Sequence, residues 1–236
     1  MEAADALRST GAVREFTEEA VPDDDVFRIL DTARFAPSGG NRQGWRVIHV
    51  KDRDRRRALR DLYLPGWYEY LAQASAGLVP WAPITDREAE RQARRHADEV
   101  AAQAAAGPGG FAEHLDEVPV LLVVLADLRA LAAVDRDLGR YTMAGGASVY
   151  PFVWSLLLAA RDAGLGGVIT TMVIPQEAAV RRLLGVPDQF AVAAVVALGH
   201  PVRQPARLSR GAVADFTTVD GFDGMPLTAP TERPHR

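Results

Sequence analysis

Two long apolar runs, Val118 to Ala126 and Phe190 to Leu198, constrain the fold more than any other feature of this chain. Apolar residues occupy nearly every position of both runs, which is typical of strands buried on both faces. Shorter strands are predicted at Trp45 to Val50 and at Gly167 to Met172. A sheet buried on both faces must be covered by helices on both sides. The sequence therefore predicts one α+β domain, residues 1–236, with a central sheet between two helical layers.

Helical spacing of apolar residues, together with caps and breakers, predicts the helices. They are Asp23 to Ala36, Asp54 to Leu62, Asp86 to Ala106, Arg140 to Ala163 with Pro151 kinking or restarting it, and a helix opened by Pro175 and closed by Gly185. Residues 63–85 hold prolines and glycines among aromatic residues, so we predict irregular structure there. Residues 200–236 hold five prolines and few periodic apolar positions. We expect this extended C-terminal segment to be either disordered or laid along another surface, such as a partner subunit.

Composition excludes several classes of protein. The chain has no cysteine, which rules out a disulfide framework, a thiolate metal site and a catalytic thiol. A net charge of −4 is opposite to the basic footprint of a nucleic-acid binder, so we expect no nucleic-acid partner. No apolar run reaches the roughly 18 residues that a membrane span needs, and the acidic N-terminus lacks the pattern of a signal peptide. We therefore expect a cytoplasmic protein without a membrane partner.

The familiar catalytic and metal-binding motifs are also missing. The histidines have no metal-ligand spacing, so no metal is expected; they are His49, His96, His114, His200 and His235. The chain lacks a G-x-S-x-G nucleophile motif, a G-x-x-x-x-G-K-[ST] phosphate loop, and a G-x-G-x-x-G motif after a strand. If the chain is an enzyme, its reactive chemistry must belong to an organic cofactor.

One loop, Ala36 to Arg46, concentrates polar and flexible residues between a predicted helix and a predicted strand. Pro37 stops the helix, because the residue before a proline is displaced from the α region. Gly39 lacks Cβ and allows a ligand to approach the backbone closely. Ser38, Asn41 and Gln43 add hydrogen-bonding groups. These residues favour either a cradle for a flat, polar cofactor or an ordinary turn.

Several motifs in a fixed order resemble the nitroreductase family of FMN-dependent flavoproteins. The N-terminal pieces are Val13-Arg14-x-Phe16, Val21-Pro22 and Ala36-Pro37-Ser38-Gly39-Gly40-Asn41-Arg42-Gln43-x-Trp45. The later pieces are Gly164-Leu165-Gly166-Gly167, Leu184-Gly185-Val186-Pro187 and Ala197-Leu198-Gly199-His200-Pro201. The resemblance covers roughly residues 7–211. Each later piece is weak alone, and the series carries the likeness.

The resemblance implies an α+β fold with a mixed central β-sheet flanked by helices, in an intertwined homodimer. It implies FMN as cofactor, NADPH or NADH as electron donor, and ping-pong reduction of a small aromatic, nitro or quinone-type substrate. Two other functions stay open. One is a flavin-dependent oxidase or dehydrogenase that tailors a natural product, and the other is a flavin-binding protein without turnover.

The resemblance also assigns roles to residues. Arg14, Arg207 and Arg210 would bind the FMN phosphate, which suits the planar guanidinium. Pro37, Ser38 and Gly39 would touch the flavin bound mainly by the other subunit, and Asn41 and Gln43 would hold the ring edge or the loop. Thr170 and Thr171 would pass near flavin N5, where a backbone N–H stabilises the reduced ring. No catalytic acid or base is expected. Four aromatic residues are candidates for stacking on substrate: Trp67, Tyr68, Tyr70 and Trp81.

Two positions depart from the family pattern. The family often has Arg-x-Ser before its Val-Arg element, where this chain has Thr10, Gly11 and Ala12. Two phosphate ligands are therefore expected to be missing. Gly44 stands where the family usually has proline, which loosens the exit from the loop.

Overall fold

The computed structural model describes residues 1–229. The helices are α1 (Ala3–Ser9), α2 (Asp23–Ala33), α3 (Arg53–Ser75), α4 (Arg87–Arg94), α5 (Ala97–Ala105), α6 (Tyr150–Asp162) and α7 (Glu177–Leu184). The strands are β1 (Trp45–His49), β2 (Val120–Asp127), β3 (Gly166–Thr170) and β4 (Phe190–Gly199). Short 3-10 turns lie at Gly39–Asn41, Ala144–Ser148, Ile174–Gln176 and Val213–Asp215. His235 lies outside the described residues.

The strands form one sheet in the order β1-β2-β4-β3. The two predicted apolar runs are the central strands, and nearly all of their residues are buried. All three pairings between these strands are antiparallel. We expected a sheet with both parallel and antiparallel pairing. Within residues 1–229, the parallel pairing is limited to an isolated bridge between Ala12 and Gly167.

Side chains of β2 alternate between two cores, as the pleat of a strand requires. Leu122 and Val124 face one core, which they share with α2 and α6. Leu121 and Val123 face the other, which they share with α3 and α7. Each such side chain contributes roughly 1.5–3 kcal/mol by its burial. The prediction of helices on both faces of a central sheet is therefore confirmed.

Helix α3 corrects the prediction for residues 54–85. We expected a short helix ending at Leu62 and irregular structure beyond, but α3 continues to Ser75 through Pro65 and Gly66. Local propensity opposes this path, because an internal proline removes a helical hydrogen bond. Burial of the inner face overrides that propensity, since Tyr63 is 2% exposed and Ala72 is 4% exposed.

Other predicted boundaries also differ, and the helix predicted from Arg140 begins only at Tyr150, after a 3-10 turn at Ala144–Ser148. The predicted helix from Asp86 to Ala106 is two helices, α4 and α5, separated at Arg95 and His96. Pro151 lies in the first turn of α6, so it restarts the chain into a helix and does not kink one. Helix α2 ends at Ala33 and strand β3 ends at Thr170, each a few residues before the predicted end.

The C-terminal segment has almost no regular structure of its own. Residues 200–229 include one 3-10 turn and a bridge between Thr218 and Pro226. The N–H of Leu208 donates to the carbonyl of Arg8 at 2.8 Å, which joins this segment to the N-terminus. Beyond residue 212 several large apolar side chains are exposed: Val213, Phe216, Val219, Phe222, Met225 and Leu227. Among the helices of residues 1–229, none has the length and apolar character required to cross a bilayer.

Candidate functional site

Arg14 lines three clefts, two of which also hold other residues predicted to bind FMN. It follows Val13, whose N–H donates to the carbonyl of Gly167 at 2.9 Å. A Cβ at Gly166 would lie 2.9 Å from the Cβ of Val13, so only glycine allows the N-terminal chain to pack this closely on β3. The Gly-Leu-Gly-Gly motif therefore serves packing, and this packing places Arg14 beside β3.

The smaller cleft, about 220 Å³, lies between α3 and the end of β3. Arg14, Thr170 and Thr171 line it, so the structure brings these predicted site residues together. Its opposite wall is aromatic. The rings of Trp67 and Tyr70 stack with centroids 5.5 Å apart and an angle of 5° between their planes. A flat wall of this kind suits a planar ligand.

Tyr63 extends the aromatic wall, although it was not among the predicted site residues. Its ring lies 6.5 Å from that of Trp67. Its Oη accepts a hydrogen bond from Thr170 Oγ1 at 3.0 Å. Burial raises the pKa of Tyr63 above its usual value, so its hydroxyl stays neutral. The spacing of Tyr63, Trp67 and Tyr70, positions i, i+4 and i+7 of one helix, could have revealed a shared face.

The backbone at the end of β3 offers donors to this cleft. Within residues 1–229, the N–H groups of Thr171 and Met172 donate to no protein acceptor. Both residues are half-buried, so these two N–H groups are accessible to an acceptor outside the chain, either water or a bound ligand. A flavin ring, with acceptor atoms along its edge, fits this donor set.

The larger cleft, about 890 Å³, lies between the N-terminal chain and residues 203–207. Arg14, Arg203 and Arg207 line it, with Glu15 as the one carboxylate among the lining residues. Among residues 1–229, no carboxylate forms an ion pair with any of these three arginines. Excess positive charge with free guanidinium groups suits a phosphate. Arg203 was not among the predicted site residues, although it lies four residues before Arg207.

Arg210 is not brought to this cleft in a single chain. Its side chain is exposed, and its Nη1 donates to the carbonyl of Ser209 at 2.6 Å. Arg207 lines the larger cleft, whereas Arg210 does not. The phosphate role assigned to Arg210 stays a prediction.

The two residues that replace the family's phosphate ligands, Thr10 and Ala12, offer no polar group to the larger cleft. Thr10 is buried, and its Oγ1 donates to the carbonyl of Ala6 at 2.7 Å, so this hydroxyl is used in a hydrogen bond at the end of α1. Ala12 lines the larger cleft but carries no polar group. A Cβ at Gly11 would lie 2.9 Å from Leu208 Cδ2, which explains the glycine there.

The loop at residues 37–43 is built by internal hydrogen bonds. Ser38 Oγ accepts from the N–H of Gln43 at 2.9 Å, and Gln43 Nε2 donates to Asn41 Oδ1 at 3.2 Å. Asn41 and Gln43 have positive φ of 53° and 50°, unusual for residues other than glycine. The N–H of Gly39 donates to Ser148 Oγ at 3.0 Å. Pro37 is exposed, and the loop presents its surface outward.

Positive φ at Asn41 and the internal hydrogen bonds are compatible both with a cofactor cradle and with an ordinary turn, so the role of this loop stays a prediction. The side chain of Asn41 bonds within the loop, so its direct role is to shape the turn. Gly44, the replacement for the family's proline, is buried, and a Cβ there would lie 2.8 Å from Ala130 Cβ. The exit from the loop is therefore packed and not loose.

One chain does not bring this loop to the clefts at Arg14. The loop leads into β1, one edge of the sheet, whereas Thr170 ends β3 at the other edge. Trp45 aligns with Ala191 through β2, and Thr170 pairs with Val195. Three strand spacings and about four residues along the strands put the two regions on the order of 20 Å apart.

The four candidate stacking residues separate in the structure. Trp67 and Tyr70 line the smaller cleft. Tyr68 faces α5 and lines a groove with Asp98 and Ala101, which corrects its assignment. Trp81 does not line the smaller cleft. Its backbone has a φ of 52°, and its N–H donates to the buried side chain of Gln73 at 3.1 Å.

Comparison with known proteins identifies the family. Residues 7–200 match the model of the nitroreductase family. The "NADH dehydrogenase" of Thermus thermophilus is 31% identical over 204 residues, which are 86% of this chain and 89% of that protein. Crystalline iodotyrosine deiodinase, bound to FMN and 3-iodo-L-tyrosine, has a TM-score of 0.62 at 24% identity, over 93% of this chain and 99% of that one. The Vibrio harveyi NADPH:FMN oxidoreductase complexed with NAD⁺ has a TM-score of 0.61 at 20% identity, over 92% of this chain and 77% of that one. The chain belongs to the nitroreductase family.

Proposed function

We propose that this chain, an FMN-dependent NAD(P)H oxidoreductase of the nitroreductase family, reduces small aromatic acceptors such as nitro compounds or quinones, and does so as a homodimer. One observation carries the proposal. Arg14 joins a cleft with an aromatic wall and free backbone donors to a cleft with three unpaired arginines. This arrangement matches a molecule with a flat ring at one end and a phosphate at the other.

The residues of the larger cleft would hold the FMN phosphate. Arg14, Arg203 and Arg207 can each donate charge-assisted hydrogen bonds. Because Thr10 and Ala12 stand where the family often has arginine and serine, Arg14, Arg203 and Arg207 would carry most of the phosphate binding. We therefore expect FMN affinity to depend more on Arg207 than it would in a relative that keeps Arg-x-Ser.

The residues of the smaller cleft would hold the ring and admit the substrate. FMN, when bound, supplies the electron-carrying ring. The N–H groups of Thr171 and Met172 would bind its acceptor edge and favour the negative charge of the reduced state. Trp67 and Tyr70 offer a flat surface on which an aromatic acceptor can stack. Tyr63 stays protonated, so it would not act as a general base.

A homodimer would complete the site. The loop at 37–43 lies at the sheet edge opposite to Thr170, and it presents exposed residues to its surroundings. Large apolar side chains are exposed nearby: Phe27 on α2, Phe35 just after it, and Tyr150 and Trp154 on α6. Covering such surface would favour a second copy. Pro37 to Gly39 of each copy would then reach the flavin of the other.

Anaerobic spectroscopy tests the activity. The purified chain, reconstituted with FMN, should show a flavin spectrum that bleaches on addition of NADH or NADPH and recovers with a quinone or nitroaromatic acceptor. Flavin binding without bleaching by either nucleotide would favour an oxidase or a non-catalytic flavin protein. A purified chain that binds no added FMN would refute the proposal. Light scattering with size-exclusion chromatography tests the dimer, and imaging of a tagged chain in its host tests the expected cytoplasmic location.

A further inference from the structure

Helix α3 approaches the segment after β3 at a distance that only glycine permits. Gly66 is buried against Met172. A Cβ at position 66 would lie 2.1 Å from the carbonyl oxygen of Met172 and 3.1 Å from its carbonyl carbon. The obstacle is backbone and not the end of a flexible side chain, so no rotamer change could relieve it. The two backbones are therefore in direct van der Waals contact.

A second contact lies one helical turn earlier on the same face. Tyr63 precedes Gly66 by three residues, a spacing that places both on one side of a helix. The hydroxyl of Tyr63 accepts a hydrogen bond from Thr170 Oγ1 at 3.0 Å, and Tyr63 is 2% exposed. The helix thus contacts Thr170 and Met172 and leaves Thr171 between two fixed points.

The sequence of α3 opposes helix formation at this contact. Pro65 and Gly66 are the two least favourable residues for a helix interior, and together they cost about 4 kcal/mol relative to alanine. Despite this, α3 runs unbroken from Arg53 to Ser75. A local violation of this kind is expected where a function demands it. Here the glycine supplies a backbone contact that no other residue could make.

The clamped segment carries the free donors of the smaller cleft. The N–H groups of Thr171 and Met172 have no acceptor within residues 1–229, and both residues line the cleft with Arg14. Donors act on a bound anion only if they are held in place before binding. Tyr63 and Gly66 fix the ends of this short segment from outside it.

We propose that Tyr63 and Gly66 are positioning residues that hold Thr170 to Met172 for binding of the flavin ring, and that they set the preference of the site for reduced over oxidised FMN. The proposal rests on the proposed function, because it assumes that FMN binds in this cleft. Neither residue needs to touch the flavin. Loss of the clamp weakens the binding of the reduced flavin more than that of the oxidised form, because the donors oppose the negative charge of the reduced ring.

Two pairs of variants test the clamp. Tyr63→Phe keeps the ring and removes the hydroxyl, and Tyr68→Phe, on the same helix but outside the smaller cleft, is its control. Gly66→Ala adds the methyl that meets the carbonyl of Met172, and Gly139→Ala is its control. Gly139 is exposed, and a Cβ there would meet nothing within 4 Å. If Gly66→Ala does not fold, Tyr63→Phe carries the test alone.

Two measurements suffice. Redox titration with FMN binding gives the ratio of affinities for reduced and oxidised flavin, which we expect to fall about tenfold in Tyr63→Phe and to stay within about twofold of wild type in both controls. Amide hydrogen exchange of the chain without FMN should be faster in Tyr63→Phe at residues 170–173 and unchanged in the central strands. A merely structural role would lower thermal stability without changing that ratio.

The outcomes separate the two proposals. Wild-type binding of FMN with an unchanged ratio in Tyr63→Phe would overturn the clamp and leave the proposed function intact. Unchanged amide exchange at residues 170–173 in Tyr63→Phe would overturn it as well, independently of any cofactor. A wild-type chain that binds no FMN would refute the proposed function, and the clamp's effect on the flavin with it.

Discussion

The backbone N–H of Gly39 donates to Ser148 Oγ at 3.0 Å, joining residues 109 positions apart. Ser148 is 7% exposed and ends the turn that leads into α6, whereas Gly39 lies in the exposed loop before β1. A single hydroxyl thus fixes the predicted flavin loop to the turn that precedes α6, the helix at the centre of one core. The position of that loop depends on α6 as well as on its own sequence.

Removal of this anchor should loosen the loop. Ser148→Ala leaves the N–H of Gly39 without its acceptor, and we expect a loss of about 1 kcal/mol of unfolding free energy. FMN affinity should also fall if the loop completes the site of a second subunit. Ser75→Ala, at the exposed end of α3, is a matched control. Denaturant unfolding and FMN titration of both variants check this, and equal behaviour of the two would contradict the anchoring role.

Arg207 should matter more for FMN binding than the surface arginines. Arg207→Ala removes one of three cations lining the larger cleft, and a roughly tenfold rise in the FMN dissociation constant corresponds to about 1.4 kcal/mol. Arg95→Ala, at an exposed position after α4, should leave the constant unchanged. Fluorescence titration measures both. A change in Arg210→Ala as large as that in Arg207→Ala would indicate that Arg210 reaches the phosphate from a second subunit.

Arg56 should contribute strongly to stability through its hydrogen bonds to three backbone carbonyls. The buried guanidinium donates to the carbonyls of Asp116 at 2.7 Å, of Val50 at 3.2 Å and of Val118. Arg56→Met keeps much of the volume but removes the donors from three carbonyls, so we expect a loss of about 3 kcal/mol. Arg55→Met changes an exposed neighbour on the same helix. Thermal and urea unfolding test the difference, and a loss below 1 kcal/mol for Arg56→Met would contradict this role.

His114 should make stability depend on pH near neutrality. Its Nε2 bonds to the carbonyl of Pro108 at 2.8 Å, which raises the pKa of His114 above the ordinary value of 6.5, and Glu117 adds to this effect. A raised pKa in the folded state means that the imidazole of His114 binds its proton more tightly in the folded chain than in the unfolded chain. The stabilisation is therefore complete below pH 6.5 and disappears as the pH rises through the folded-state pKa.

Substitution at this histidine isolates its contribution. His114→Gln should lower Tm relative to wild type at pH 5.5, and the difference should shrink as the pH rises to 9. Because the side chain is about half exposed, we expect a small effect that salt reduces. A Tm difference that stays constant across this range would show that the hydrogen bond to Pro108 does not depend on protonation.

The sequence by itself determined the strands, most helices and the family. Unbroken apolar runs such as Phe190 to Leu198 identify buried strands, because burial on both faces leaves no polar positions. The ordered series of short motifs, from Val13-Arg14 onward, identified a flavin family whose model matches residues 7–200. The composition and spacing of each short segment are enough to predict these properties, so no contact between distant residues has to be known.

Only the tertiary structure decided which residues meet. Local rules end α3 before Pro65, but the helix continues because its buried face packs on the core and Gly66 packs on Met172. No local rule pairs Tyr63 with Thr170, or brings Arg14 and Arg207 to one cleft. The same holds for the separation of the 37–43 loop from Arg14, which follows from strand order. Packing free energy is summed over contacts between distant segments, so it can override local propensity, and the sequence of one segment alone does not contain it.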